Sequence, residues 1–153
     1  MTKPPVARVR QLRVVVEAED YDEAVAFYRD LLGMPEEAAF AEGEEDRVAI
    51  LEAGRATLEI ASPAHKVAID RVEAEARPSR RIRLAFEVDD TAAVTREAEA
   101  AGATVTAEPV VTPWRSLNSR LEAPGDLEIT FFTELESTEE RTARPGFAKD
   151  SER

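Results

Sequence analysis

The 153-residue sequence contains no cysteine and only one histidine, His65. Disulfide frameworks, zinc–thiolate sites and thiol nucleophiles are therefore excluded, and one chain cannot build a centre that needs two histidines. Aromatic residues make up only 6% of the chain. No run of about 18 apolar residues occurs, as a membrane-spanning helix would require. Carboxylate, hydroxyl and arginine chemistry remain, or binding without catalysis.

What the sequence has in excess is acid: 32 Asp and Glu residues against 20 Lys and Arg give a net charge of −12. Because the acid is spread along the chain, the surface repels phosphate polymers, and we expect no nucleic-acid partner. With 43% hydrophobic residues, the composition is that of a globular protein with one core or two small modules. The N-terminal residues lack an apolar stretch, so we expect a cytoplasmic protein that does not bind membranes.

Residues 8–62 show the element order β-α-β-β-β, which defines a first predicted module. A helix is predicted from an N-cap at Asp20 to a stop at Gly33, with an apolar stripe along one side. Short runs with glycine turns between them predict the strands, at 12–17, 37–41, 47–52 and 56–61. The arm before this module, residues 1–7, is not assigned an element.

The same order then returns in residues 80–134, the second predicted module. Residues 63–79 form the linker, with a short helix at 64–76 whose few apolar anchors are Val67, Ile69 and Val72. In the second module a cap at Asp89 or Asp90 and a stop at Gly102 bound the helix, and the strands are predicted at 81–88, 104–111, 115–122 and 127–133. Residues 12–17 superpose on 82–87, which supports a repeat. Residues 135–153 have few apolar groups and predict a frayed, disordered tail.

Three short motifs carry a resemblance to a known family. AVAFYRDLLG at 24–33, LAFEVDD at 84–90 and APGDLEIT at 123–130 resemble, in order and spacing, segments of the vicinal-oxygen-chelate superfamily. That superfamily includes glyoxalases, bleomycin-resistance proteins and extradiol dioxygenases. The resemblance implies an α+β fold in which two tandem βαβββ modules form a curled mixed sheet around a shared cavity. It also implies a homodimer.

In metal-dependent members of that superfamily, the first and last strand of each module supply the metal ligands. Carried over, these positions are Arg13, Glu59, Arg83 and Thr130 in this chain. A guanidinium is permanently protonated and has no lone pair, so two arginines would repel a divalent cation. We therefore expect no metal and no other cofactor. An alternative register places Glu128, which shares strand parity with Thr130, at the fourth position.

Two interpretations of these charged residues stay open. Arg13 and Arg83 could grip an anionic or polar ligand, or Glu59 and Glu128 could neutralise them in an ion-pair network that holds the modules in register. Glu59 is the best candidate for a general base, although two nearby guanidinium groups would keep it ionised and weakly basic.

Other candidates also have two interpretations. Trp114 could stack a planar ligand, or it could be a core or dimer-edge residue. Asn118 and Arg120 share one face of a strand, which either points inward and supplies hydrogen bonds or outward into solvent. His65 lies in the linker and is expected on the surface.

The sequence therefore predicts a metal-independent protein that binds a small, planar organic molecule, of the sequestration or resistance type. The predicted ligand-binding residues are Arg13, Glu59, Arg83, Trp114, Asn118, Glu128 and Thr130. One alternative is a diverged glyoxalase-like lyase or isomerase, in which the arginines stabilise an enediolate and Glu59 moves the proton. A second alternative is a non-catalytic dimeric interaction protein.

Overall fold

The structure of this α+β protein is a computed structural model that describes residues 8–145. It divides into two compact units, Met1–Ile60 and Ala61–Arg153. The predicted arm at 1–7 and the last part of the predicted tail, 146–153, lie outside the described residues. Within the described range, no helix has the length and hydrophobicity needed to cross a membrane.

The first unit contains one helical segment, which begins and ends where the sequence predicts. Helix α1 (Tyr21–Val25) starts after Asp20, whose side chain accepts a hydrogen bond from the backbone N–H of Glu23. It continues as a π-helix over Ala26–Leu31, in which the backbone bonds reach five residues back. Gly33 follows with a φ of 68°, a left-handed conformation that glycine adopts without strain.

A hairpin completes the regular structure of this unit. Strands β1 (Glu36–Glu42) and β2 (Asp46–Leu51) pair antiparallel and confirm two of the four strands predicted for the first module. Arg47 of the hairpin lies 2.8 Å from the carboxylate of Asp22 and 4.4 Å above the ring of Tyr21. An ion pair and a cation–π contact therefore tie the hairpin to the helix.

The other two predicted strands of this module, at 12–17 and 56–61, are not formed. Both segments lack regular secondary structure, and their apolar side chains are exposed, as in Val15 (88%) and Ile60 (87%). The prediction was wrong because a β-branched run favours a strand only where a neighbouring strand offers backbone partners, and neither segment is paired with a strand among residues 8–145.

The second unit begins with helix α2 (Pro63–Ala74), which confirms the predicted linker helix. The Ser62 side chain accepts a hydrogen bond from the backbone N–H of His65, and the proline lies in the first turn, where it loses no backbone bond. The helix ends at Glu75 and Ala76, which both adopt a positive φ. Of its predicted apolar anchors, Ile69 is buried but Val67 is 55% exposed.

All elements of the second predicted module are present in this unit. Helix α3 is capped by the side chain of Asp90, and its C-terminal Gly102 has a φ of 106°. The strands form one open mixed sheet in the order β3-β6-β5-β4, with β3 parallel to β6 and the other neighbours antiparallel. The elements are β3 (Leu84–Glu87), α3 (Thr91–Ala100), β4 (Thr104–Val111), β5 (Ser116–Ala123) and β6 (Leu127–Glu134).

The apolar core of the second unit lies between this sheet and α3. Leu121 of β5 and Ile129 and Phe131 of β6 are fully buried on the same face of the sheet. On that face Thr95 of α3 is hydrogen-bonded to Ser119 of β5, with 2.8 Å between their hydroxyl oxygens. The opposite face of the same sheet is therefore turned away from α3.

The predicted tail contains more structure than the sequence indicates. Helix α4 (Thr138–Thr142) follows the N-cap Ser137, which forms a capping box with Glu140 in the first turn of the helix. Arg144, just beyond it, donates hydrogen bonds to the carboxylate of Glu136 and to the backbone carbonyl of Trp114. Polar contacts rather than apolar burial order residues 135–145, which explains why the lack of apolar residues was misleading.

Candidate functional site

The sheet face opposite α3 brings together four of the predicted binding residues. Side chains alternate along a strand, and Arg120 of β5 pairs with Thr130 of β6 across the ladder, so their side chains share this face. Helix α2 lies over it. We call this the polar face, and it consists of Asp70 and Glu73 of α2, Arg83 before β3, Asn118 and Arg120 of β5, and Glu128 and Thr130 of β6.

Arg83 is the partly exposed cation of the polar face. Its Nη1 donates a hydrogen bond to the hydroxyl of Thr130 and lies 4.0 Å from Glu73 Oε2. Its Nε lies 4.0 Å from Glu128 Oε1, a buried oxygen for which no donor is present among residues 8–145. The side chain keeps 20% of its surface exposed. Thr130 and Glu128, the two alternatives for the fourth family position, thus both lie beside Arg83.

Arg120 is the buried cation, with only 2% of its surface exposed. Its Nη1 lies 2.7 Å from Asp70 Oδ1, and its Nε donates to Glu73 Oε2 at 3.0 Å. Its Nη2 lies 2.9 Å from the same Glu73 oxygen. One guanidinium therefore binds two carboxylates of α2, and such pairing is what makes the burial of a charge tolerable.

Asn118 extends this network along β5. Its Nδ2 donates to Glu73 Oε1 at 2.6 Å, while its Oδ1 accepts from the hydroxyl of Ser116 at 2.6 Å. The Ser116 hydroxyl in turn lies 3.0 Å from that of Thr112. Of the two predicted orientations for Asn118 and Arg120, the inward one is correct.

The carboxylate of Asp70 is held in its ionised form. Burial acts to raise its pKa, but the hydrogen bonds it accepts outweigh burial, and the pKa lies well below its ordinary value. The donors are the backbone N–H of Ser79 at 3.1 Å, Arg120, and Lys66 Nζ at 3.1 Å. Asp70 is thus a fixed negative charge that anchors α2 to the sheet.

Two predicted residues belong to the first unit and lie outside its helix and hairpin. Arg13 is exposed and contacts the side chain of Gln11 at 3.5 Å. Glu59 is exposed in the segment that was predicted to be a strand. Among the described residues of the first unit, no ion pair joins Glu59 to Arg13.

Trp114 and His65 lie at the margins of the second unit. Trp114 is half-buried in the turn between β4 and β5, where Arg115 adopts a φ of 59°. His65 is exposed in the first turn of α2, as predicted. The polar face as described does not include either ring.

Sequence reasoning missed the two carboxylates of α2. Asp70 and Glu73 are among the most buried residues of this helix, with 3% and 6% of their surface exposed. Their spacing of three residues, next to the apolar Ile69, places all three on one side of a helix. This spacing could be seen in the sequence. It did not indicate burial, because acidic residues in a linker helix are usually exposed to solvent.

A concave surface lies within the first unit. It is a groove of about 530 Å³ between the helix and the hairpin, lined by Tyr21, Asp22, Val25, Arg29, Glu36, Ala39, Phe40, Ala41 and Arg47. Its charged groups are paired with one another, as in Arg29 with Glu36 at 3.1 Å. The residues predicted to bind a ligand are not part of its lining.

The two positions of the second unit that the resemblance assigns to metal ligands, Arg83 and Thr130, do not fit a divalent cation. At one, Arg83 places a positive charge and offers no lone pair; at the other, the Thr130 hydroxyl already accepts a hydrogen bond from that arginine. In the described part of the chain, no group of three or more His, Cys, Asp or Glu side chains is arranged to hold a metal ion.

This architecture matches a known family. The sequence profile of the glyoxalase-like domain matches residues 13–132, most of the chain. The chain belongs to the glyoxalase-like domain family. Its membership agrees with the resemblance to the vicinal-oxygen-chelate superfamily seen in the sequence motifs. A comparison with proteins of curated function finds no significant match.

Several solved structures have a similar fold. A glyoxalase family protein from Bacillus cereus is 18% identical, with a TM-score of 0.52 over 86% of this chain and 100% of that one. A glyoxalase-related enzyme from Fulvimarina pelagi is 16% identical, with a TM-score of 0.50 over 82% and 89%. A hypothetical protein from S. aureus is 13% identical, with a TM-score of 0.50 over 83% and 95%. At these identities the likeness shows a common fold.

Proposed function

We propose that this glyoxalase-like protein binds a small, planar organic molecule without a metal, as a sequestration or resistance protein would. The observation that carries this proposal is the position of Arg83. Its guanidinium is hydrogen-bonded to Thr130 and lies within 4.0 Å of carboxylate oxygens of Glu73 and Glu128. The proposal is supported because a guanidinium, which has no lone pair for a divalent ion, stands at one of the positions that the resemblance assigns to a metal ligand.

The chemistry beside Arg83 favours recognition of a planar ligand. The guanidinium is a flat, rigid donor, and 20% of the side chain is exposed, so a ligand can reach it. The buried Glu128 Oε1, which lacks a donor within the described residues, offers an acceptor 4.0 Å from Arg83 Nε. A ligand with adjacent carbonyl and N–H groups, such as a lactam or a heterocycle, could satisfy both.

Trp114 is the proposed aromatic contact. Its half-buried indole in the β4–β5 turn keeps part of its surface available for stacking on a flat ring. Thr130 is proposed to position Arg83 rather than to meet the ligand, because it is almost fully buried and its hydroxyl is hydrogen-bonded to that arginine.

The test combines metal analysis with calorimetry. Freshly purified protein is analysed for divalent metals and titrated with a panel of planar aromatic and heterocyclic natural products, with and without a chelator. We expect no stoichiometric metal and chelator-insensitive binding of at least one class. Arg83→Met should weaken that binding about tenfold or more, because a charged hydrogen bond is lost.

The matched control is Arg96→Met, which removes an exposed arginine from α3 and should leave the affinity unchanged. A stoichiometric divalent ion, binding abolished by the chelator, or absent heats across the whole panel would each overturn the proposal.

A further inference from the structure

The side-chain carboxylate of Glu73 is contacted on both oxygens by donors from β5, as a bound carboxylate ligand would be. Oε2 accepts from Arg120 Nε at 3.0 Å and lies 2.9 Å from Nη2, while Oε1 accepts from Asn118 Nδ2 at 2.6 Å. Both carboxylate oxygens are therefore engaged by donors that come from β5. Glu73 itself is 6% exposed, so water contributes little to this arrangement.

The donors also have contacts with residues other than Glu73. The hydroxyl of Ser116 donates to Asn118 Oδ1 at 2.6 Å, which turns the amide N–H₂ toward the carboxylate. Asp70 lies 2.7 Å from Arg120 Nη1, on the other arm of the guanidinium. A guanidinium fork and an amide N–H in fixed positions form a general carboxylate receptor, whatever molecule supplies the carboxylate.

Helix α2 is attached to the sheet mainly by its acidic groups. Its buried residues are two apolar ones, Ile69 and Ala74, and two acidic ones, Asp70 and Glu73. Burial of only two apolar side chains stabilises the packing of a helix less than burial of a full apolar stripe does. A competitor for the donors of Glu73 would therefore remove a large share of what holds α2 in place.

We propose that Arg120 and Asn118 form a binding site for a carboxylate-bearing ligand, which helix α2 fills with its own Glu73 until the ligand displaces it. The inference deepens the proposed function and rests on it, because it assigns a carboxylate to the molecule that this protein binds. The hydroxyl of Ser116, which belongs to β5 and not to α2, keeps the Asn118 amide oriented when Glu73 leaves.

Chemical rescue tests the receptor. Glu73→Ala removes a group of about the size of acetate and leaves Arg120 and Asn118 facing the gap. The melting temperature of this variant should rise with acetate concentration in a saturable manner, as expected for a ligand that binds only the native state. Acetamide and chloride at equal concentration should not reproduce the rise. Equal shifts with all three solutes, or none with acetate, would overturn the proposal.

A second variant keeps the test decisive if Glu73→Ala does not fold. Glu73→Gln preserves the volume of the side chain but removes the competing charge. Because a carboxylate ligand no longer meets a like charge, benzoate should bind Glu73→Gln about tenfold or more tightly than it binds the wild type. The matched control, Glu75→Gln, removes an exposed charge just beyond the same helix and should bind benzoate as the wild type does.

The two proposals can fail separately. Equal benzoate affinity of Glu73→Gln and wild type would overturn the carboxylate site, whereas the panel titration of the wild type with Arg83→Met judges the proposed function. Benzoate binding that tightens in Glu73→Gln but persists in full in an Arg120→Met variant would also contradict the site, since the arginine would then not be its receptor.

Discussion

The two faces of the four-stranded sheet are buried to a similar degree but differ completely in chemistry. Under α3 the sheet presents Leu121, Ile129 and Phe131, each with no exposed surface. Under α2 it presents Arg120 and Thr130, which are just as inaccessible. Burial in this unit therefore does not by itself indicate an apolar core, and each face is stabilised by a different kind of interaction.

That difference decides how each face responds to change. The apolar face is stabilised by non-directional burial, so the loss on substitution scales with the volume and area removed. The polar face depends on specific donor–acceptor pairs, and removing one partner leaves the others charged and desolvated. A site that must exchange one polar partner for another can be built only on the second kind of face.

The largest expected effect comes from removing the buried cation of the polar face. Arg120→Met leaves Asp70 and Glu73 without their shared partner and should lower the free energy of unfolding by about 3–5 kcal/mol. Urea denaturation followed by circular dichroism measures it. The exposed Arg96→Met is the control and should change stability by less than about 0.5 kcal/mol. Equal effects of the two variants would show that the polar face is not stabilised by its ion pairs.

On the apolar face, Leu121→Ala should cost about 2–5 kcal/mol, because a fully buried side chain is truncated and a cavity remains. The same urea experiment applies, and the loss should not depend on pH between 5 and 8. Val111→Ala, at a position that is 63% exposed, is the matched truncation and should have a small effect. If the loss of unfolding free energy in Leu121→Ala varied with pH, the apolar face would depend on charged groups and the predicted difference between the two faces would be wrong.

The polar face should also make the protein sensitive to acid. The pKa of Asp70 is depressed in the folded state, so its contribution to stability is complete above its unfolded pKa of about 3.9 and is lost as pH falls through the lower folded value. Stability measured from pH 7 down to pH 3 should fall less steeply in Asp70→Asn than in the wild type. The exposed Asp89→Asn, as control, should retain the wild-type slope.

The smallest effect is expected where a polar pair lies on the apolar face. The Thr95 hydroxyl donates to the backbone carbonyl of Thr91 and lies 2.8 Å from the hydroxyl of Ser119. Replacing both partners together, Thr95→Val with Ser119→Ala, should cost at most about 1 kcal/mol, because no buried donor between them is left without its acceptor. Each single substitution should cost more than the pair in thermal unfolding. A double variant worse than the sum of both would contradict this.

Sequence patterns predicted the local features of the fold well. Capping by Asp20 and Asp90, helix stops at Gly33 and Gly102, and the strands of the second unit are all decided by residues near one another in the chain. The sequence patterns did not show which distant segments pair with one another as strands. The runs at 12–17 and 56–61 have strand composition but no neighbouring strand in the structure, and composition alone carries no information about a partner.

For the candidate site, too, the sequence did not reveal the contacts between residues that are distant in the chain. Strand alternation placed Asn118 with Arg120 and Glu128 with Thr130, and the motifs placed Arg83 with them, so much of the polar face could be predicted. The sequence did not show which carboxylates neutralise the arginines. One interpretation assigned Glu59 and Glu128 to Arg13 and Arg83. In the structure Asp70 and Glu73 pair with Arg120, while Glu73 and Glu128 lie 4.0 Å from Arg83.

The sequence by itself determined the family, the β-α-β-β-β element order of the second unit and the presence of arginine at a position that the resemblance assigns to a metal ligand. Each of these depends on residue identity and on short-range spacing. Only the tertiary structure decided that α2 covers the polar face and that Glu73 is the carboxylate bound by Arg120 and Asn118. These contacts join residues more than forty positions apart, and which charges meet over such a separation depends on how helix and sheet pack.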